Sequence, residues 1–145
     1  MDKNNELLKN IYQDCDMALD SLSVLSKKLN NKDNKIKEVI EKAIKGYEKH
    51  LNIVKDYMKK NNFEINSKPL IDKLGAFMGI KMEVLKDNSD SRIAGMLIQG
   101  LTMGVINITK NIDKYKAEVD KEIITIAKDY KKHQEESIEK LKAYL

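Results

Sequence analysis

The chain has 145 residues, with 27 Lys and Arg against 23 Asp and Glu, a formal net charge of +4, 41% apolar and 34% charged residues. Its one Pro, six Gly, single Cys and lack of Trp exclude a disulfide scaffold, because Cys15 has no partner. A disordered tail would hold fewer Ile, Leu and Val, and an ordinary sheet protein more aromatics, Pro and Gly. The expectation is one soluble, Lys- and Glu-rich helical domain covering 1–145.

The first predicted element runs over 5–29. Leu8, Ile11, Cys15, Ala18, Leu22, Leu25 and Leu29 recur at steps of three and four, the pattern of a helix seam packed in a bundle. The turn Asn30–Asn34 ends it, and Asp33 or Asn34 is placed to cap the next helix. That second helix, 34–60, puts Ile36, Val39, Ile40, Ala43, Tyr47, His50, Val54 and Tyr57 on one side and closes at Asn61-Asn62. A shorter amphipathic helix over 68–86 follows Ser67, with Pro69 in its first turn. The fourth predicted helix, 91–115, is apolar most of the way round, so it is expected to be the most buried helix. Gly95, Gly100 and Gly104 weaken it in isolation and suggest close approach of neighbouring backbones. The last, 119–144, has Asp120 as its cap and Val119 and Ile124 as a staple. A turn before it is preferred to one fused helix of about 55 residues, which would exceed the usual globular length. The short helix lets the second and third long helices run parallel, through a single crossover.

Charge says little about partners. Arg92 is the only arginine, and Lys and Glu interleave along the helices as on solvated faces. No one-sided basic stripe with stacking aromatics exists, so no nucleic-acid partner is expected. The polar start, MDKNNELLKN, lacks an apolar leader, and no run of 18 uninterrupted apolar residues occurs. A cytoplasmic location without a membrane partner is the expectation.

The two histidines carry the most specific pattern. Tyr47-Glu48-Lys49-His50 and Tyr130-Lys131-Lys132-His133 repeat Tyr-x-x-His with Lys before the His. The spacing places Tyr and His one turn apart on one face, and both pairs fall on the seam of their helix.

With two such helices and a crossover, the chain resembles the ferritin-like superfamily over essentially its whole length. It looks closest to an uncharacterised branch of small bundles, through Lys73-Leu74-Gly75-Ala76-Phe77-Met78-Gly79, Leu85-Lys86-Asp87, Ser89-Asp90, Gly100 and the ending around His133. The resemblance implies an all-α, ferritin-like four-helix bundle built as two pseudo-symmetric hairpins. Di-metal members carry Glu-x-x-His on the second and fourth long helices and a Glu on the first and third. Here Tyr47 and Tyr130 stand where those Glu would fall. Cys15, flanked by Asp14 and Asp16, is nearest on the first helix, and Gln99, Thr102 and Met103 are the candidates on the third. The carboxylate charge that two metal ions require is missing, so the architecture carries over and the di-iron chemistry does not.

No catalytic residue is assigned and an enzyme is not expected. Cys15, on the seam, has the setting of a packing thiol, and Gly75-x-x-x-Gly79-Ile80-Lys81 lacks the phosphate-loop spacing. The leading expectation is a non-catalytic cytoplasmic structural or interaction protein with no cofactor. The alternative is a metal-binding or redox protein holding one transition metal or a haem on His50 and His133, with Cys15 as a third ligand. Tyr47 and Tyr130 would then hydrogen-bond the imidazoles. Phe77, Met78, Ile80, Met82 and Val84 exceed what one helix face needs, which suggests an interface. By resemblance, a homodimer is the expected assembly.

Overall fold

The computed structural model describes residues 2–63 and 88–145. They form four helices packed as a bundle: α1 (Lys3–Lys28), α2 (Lys37–Lys60), α3 (Asp90–Tyr115) and α4 (Lys121–Lys142). The short helix expected over 68–86, and with it Phe77, Met78, Ile80, Met82 and Val84, lies outside the described residues.

The ends follow the local chemistry, with two departures. Asp2 caps α1 by accepting from the Asn4 amide at 2.9 Å, and Ser89 caps α3 by accepting from the Arg92 amide at 3.3 Å. At the end of α2, Asn62 takes a positive φ of 56°. The Phe63 amide then bonds the Met58 carbonyl and the Asn62 amide that of Lys59, which is a Schellman ending. Neither Asp33 nor Asn34 caps α2, whose N-cap is Ile36 without a side-chain bond. Asp120 does occupy the N-cap of α4, but its carboxylate bonds Asn4 and not its own helix. Residues 116–119 form the turn that separates α3 from α4.

Those two departures set the direction of the helices. Asn4 and Asp120 exchange a pair of bonds, Asn4 Nδ2 to Asp120 Oδ2 at 3.1 Å and the Asp120 amide to Asn4 Oδ1 at 3.0 Å. The starts of α1 and α4 therefore lie at one end of the bundle. Asn34 donates to the Asn88 carbonyl at 2.6 Å and to Asp90 Oδ1 at 2.9 Å, and the Lys35 amide reaches Asp90 Oδ2 at 3.2 Å. The starts of α2 and α3 lie together at the other end. Hence α1 and α4 run one way, α2 and α3 the other. The last turn of α2 and the first of α3 stand a helix length apart, about 36 Å at 1.5 Å per residue.

The hairpins α1–α2 and α3–α4 make the most extensive contacts, and α4 also packs on α1 and α2. The α1 seam is buried at every expected position from Leu8 to Leu29, and Leu7 joins it. On α2, Ile40, Ala43, Tyr47 and Val54 are buried together with Met58. Each side chain of this kind contributes roughly 1.5–3 kcal/mol when fully removed from water. The α3 helix carries the most buried residues of the four described helices, as expected, though not all the way round. Its inner face is buried, but Met103 is 55% and Ile106 48% exposed. It is the one helix among the described residues long and apolar enough to cross a membrane, a test that a core helix of a soluble bundle also passes.

The amide of Asn34 joins both hairpins at one corner. Asn34→Ala is expected to lower unfolding free energy by about 1–2 kcal/mol, since two bonds are lost and the Asp90 carboxylate loses a donor. Asn4→Ala, at the more exposed corner, should cost less, about 0.5–1 kcal/mol. Urea denaturation with an unchanged slope would measure both.

Candidate functional site

The middle of α2 and α4 carries the Tyr-x-x-His pairs, and because these helices run antiparallel the two motifs face each other in inverted order. Tyr47 meets His133 edge-on, with ring centroids 4.9 Å apart at 83°. Tyr130 meets His50 in the same way at 5.8 Å and 67°. The two Tyr rings lie 5.9 Å apart, and the two imidazoles 5.2 Å apart with a tilt of 34°. Four rings thus form one cluster with approximate two-fold symmetry, held by edge-to-face contacts. The tyrosines are fully buried and the histidines half-buried, beside a groove of about 340 Å³ between α2 and α4.

The tyrosine hydroxyls do not reach the imidazoles. The Tyr130 hydroxyl donates to Asp14 Oδ2 on α1. Gln134, 0% exposed, directs Nε2 at Asp14 Oδ2 (3.2 Å), Tyr130 Oη (3.3 Å) and Tyr47 Oη (3.4 Å). Two amide hydrogens are shared among three acceptors, which accounts for three long bonds. Gln134 Oε1 and His133 Nε2 are buried without a partner among the described residues. Cys15 is buried beside this network, where burial and the Asp14 charge push its thiol pKa up, the setting of an inert thiol.

Two glycines make room for the cluster. A β-carbon on Gly46 would overlap the His133 ring, and one on Gly104 would stand 2.5 Å from Gln134 Nε2. The approach at Gly104 is thus by a side chain of α4 and not by a backbone. Among the described residues nothing stands within 4 Å of a β-carbon at Gly95, contrary to the close packing expected there.

His50 and His133 therefore come together, while Cys15 sits among Asp14 and Tyr130 and is not grouped with them. Among the described residues, no three His, Cys, Asp or Glu side chains converge on a point that could hold a metal ion. Sequence reasoning noted Asp14 only as a neighbour of Cys15 and passed over Gln134. The signal for Gln134 was available: Ile123, Ala127, Tyr130, Gln134, Ser137 and Leu141 step by four and three, so Gln134 is the seam residue and His133 lies one position off it. Comparison with protein-family models, with curated proteins and with solved structures finds no match to this chain.

Burial raises the Asp14 carboxyl to about 6, against the opposing hydrogen bonds from Tyr130 and Gln134. Burial, then the neighbouring His50, lowers His133 to about 4. His50 is lowered as well, by burial and Lys49, with Asp129 opposing. The raised Asp14 binds its proton more tightly when folded, so its contribution to stability falls as pH rises from about 4 to about 6. The lowered His133 behaves oppositely, its contribution falling as pH drops from about 6.5 to about 4. The two slopes offset each other in the parent chain. Asp14→Asn should therefore become more stable relative to the parent as pH rises through this window, and His133→Gln less stable. Each difference is about 1 kcal/mol after discounting for solvent screening, read from denaturation midpoints across pH.

The glycines give a second check. Gly104→Ala gains helix propensity of about 1 kcal/mol but displaces Gln134, so a net loss of about 1–2 kcal/mol is expected. Gly95→Ala meets nothing among the described residues and should gain about 0.5–1 kcal/mol. Thermal melts of the two variants should move in opposite directions.

Proposed function

We propose that this chain is a non-catalytic structural or interaction protein with a ferritin-like architecture, in which a packed polar cluster takes the place of a di-metal cage. The pairing of helix starts supports the architecture: α2 and α3 run parallel, the helix order of ferritin-like bundles. One observation carries the rest. The mid-bundle positions facing the centre hold Tyr47, Tyr130 and Gln134, with Asp14 as the one carboxylate among the described residues bonded to them. A dinuclear site needs several bridging carboxylates to balance two cations, and here the central side chains spend their polar atoms on one another. A cytoplasmic location and a homodimer belong to the same reading.

A second reading is favoured by the imidazole pair. His50 and His133 lie side by side at the α2–α4 groove, and His133 Nε2 is unbonded among the described residues. One transition metal could take both rings, with Asp129 and Glu136 at the groove as the nearest acidic neighbours. Haem or a Cys15 ligand fits less well, because the thiol lies in the Asp14 network.

Elemental analysis of protein purified after growth in iron-, zinc- and copper-supplemented medium separates the two readings. The proposal expects well under one metal ion per chain and an unchanged melting temperature on adding Zn²⁺. Stoichiometric metal that disappears in both His50→Ala and His133→Ala would replace the first reading with the second.

A further inference from the structure

On the far side of the cluster from the histidines, α1 and α3 leave a groove of about 370 Å³. Asp14 and Tyr130 line it together with Gly104, whose missing side chain leaves room for the Gln134 amide that bonds Asp14. Asn10 and Gln13 from α1 and Asn107 and Asn111 from α3 line it further out, with Lys110 alongside. The spacing on each helix is one stripe, i, i+3 or i+4. Elsewhere the helix exteriors are dominated by Lys and Glu, so four carboxamides meeting across a groove is a local exception. Among the described residues no hydrogen bond within the chain engages these four side chains.

Asp14 presents an unmet charge there. Both bonds it receives, from Tyr130 and Gln134, fall on Oδ2, and Oδ1 receives none. The ion pairs of the described residues all involve other carboxylates, so no Lys, Arg or His nitrogen among those residues compensates it. A partly buried carboxylate without a counter-charge is costly unless something supplies one.

We propose that this groove binds a small ligand through a primary ammonium group, with Asp14 Oδ1 as its counter-charge and the carboxamide oxygens of Asn10, Gln13, Asn107 and Asn111 as its further acceptors. The chemistry selects an ammonium over a guanidinium. A guanidinium is a planar fork that pairs best with both oxygens of a carboxylate, and Oδ2 is already taken. An ammonium is a point charge with three divergent donors, which suits one carboxylate oxygen flanked by amide oxygens on two walls. The groove volume lies within the range of small-molecule sites. Lys110 disfavours a second cationic end and would pair with an anionic one, so the ligand is a monoamine or an amino acid type of zwitterion. This goes beyond the structural reading above, and its test does not depend on metal content.

The probes are n-butylamine, γ-aminobutyrate and butan-1-ol, titrated into the full chain at fixed pH and ionic strength while the side-chain amide NMR signals are followed. The expected result is saturable shifts of the Asn10, Gln13, Asn107 and Asn111 signals with at least one of the two ammonium probes and not with the alcohol. If γ-aminobutyrate binds the tighter of the two, Lys110 holds the anionic end; if n-butylamine does, it does not, and both outcomes support the ammonium site. Asp14→Asn, which keeps an acceptor for Tyr130, should weaken binding by at least about tenfold with the helical circular dichroism unchanged. Should that variant fail to fold, Asn107→Leu with Asn111→Leu, on the outer side of α3, should weaken binding likewise. Equal response to the alcohol, no saturation with either ammonium probe, or unchanged affinity in the folded variants would overturn the proposal. So would the same saturable shifts with potassium or calcium chloride alone, which would assign the groove to an inorganic cation.

Discussion

A single carboxylate drawn into the bundle at Asp14 constrains most of what surrounds it. An apolar residue on that edge of the α1 seam would have let the helices close on hydrocarbon alone. With Asp14 there, a hydroxyl and an amide must be delivered from α4 to meet it, and both Tyr130 and Gln134 arrive on one face of that helix, one turn apart. Gln134 then has to lie against α3, which is possible because residue 104 is Gly. Each of these choices lowers intrinsic helix stability or leaves a polar atom short, as the unbonded Gln134 Oε1 shows. Networks of this kind specify one arrangement more than they add stability. The seams above and below, from Leu22 to Leu29 and through Ile123 and Leu141, supply the stability that the middle gives up.

The ends of the bundle work on the same logic at lower cost. Hydrophobic seams do not by themselves distinguish an up-down-up-down order from one with a parallel pair, since both bury the same faces. Direction is set where polar side chains forgo capping their own helix and bond the start of another. Asn34 with Asp90, and Asn4 with Asp120, are such exchanges. They are intolerant of the alternative order because the paired groups would then stand a helix length apart. The exposed salt bridges among the described residues, by contrast, link residues three or four apart along one helix or its cap and carry no topological information.

These distinctions explain which parts of the molecule could be read from its sequence. The four long helices, their seams and the turn at 116–119 follow from periodicity, which burial makes obligatory, so Leu8 to Leu29 could be assigned residue by residue. Caps were misread at Asn34 because a capping side chain and one that bonds a distant helix look identical in sequence. Met103 and Ile106 misled in a different way: apolarity is necessary for burial but does not compel it. The paired histidines were legible as a repeat, yet their meaning rested on the one-residue difference between His133 and Gln134. A step of four from Tyr130 continues inward along the seam, and a step of three veers to the groove. Asp14 was the hardest to see, since a lone acid beside a seam cysteine is indistinguishable from a solvated one until the residues facing it are known.

The pseudo-symmetry of the ring cluster also explains why its two sides are unlike. Tyr47 and Tyr130 occupy equivalent positions, but the residue before Tyr47 is Gly46 and the residue before Tyr130 is Asp129. Without a side chain at 46, the His133 ring settles against α2, and this partial burial together with the neighbouring His50 lowers its pKa to about 4. His50 has Asp129 near it, which favours its charged form and partly offsets burial. The hydroxyls diverge in the same sense: Tyr130 bonds an anion directly, whereas Tyr47 meets the Gln134 amide and the Tyr130 hydroxyl. Repetition of a four-residue pattern therefore positions the rings, and the non-repeated residues around them, Gly46, Gly104, Asp14 and Gln134, decide what each side can do. An imidazole groove on one side and a carboxylate-and-amide groove on the other are the outcome of that broken symmetry.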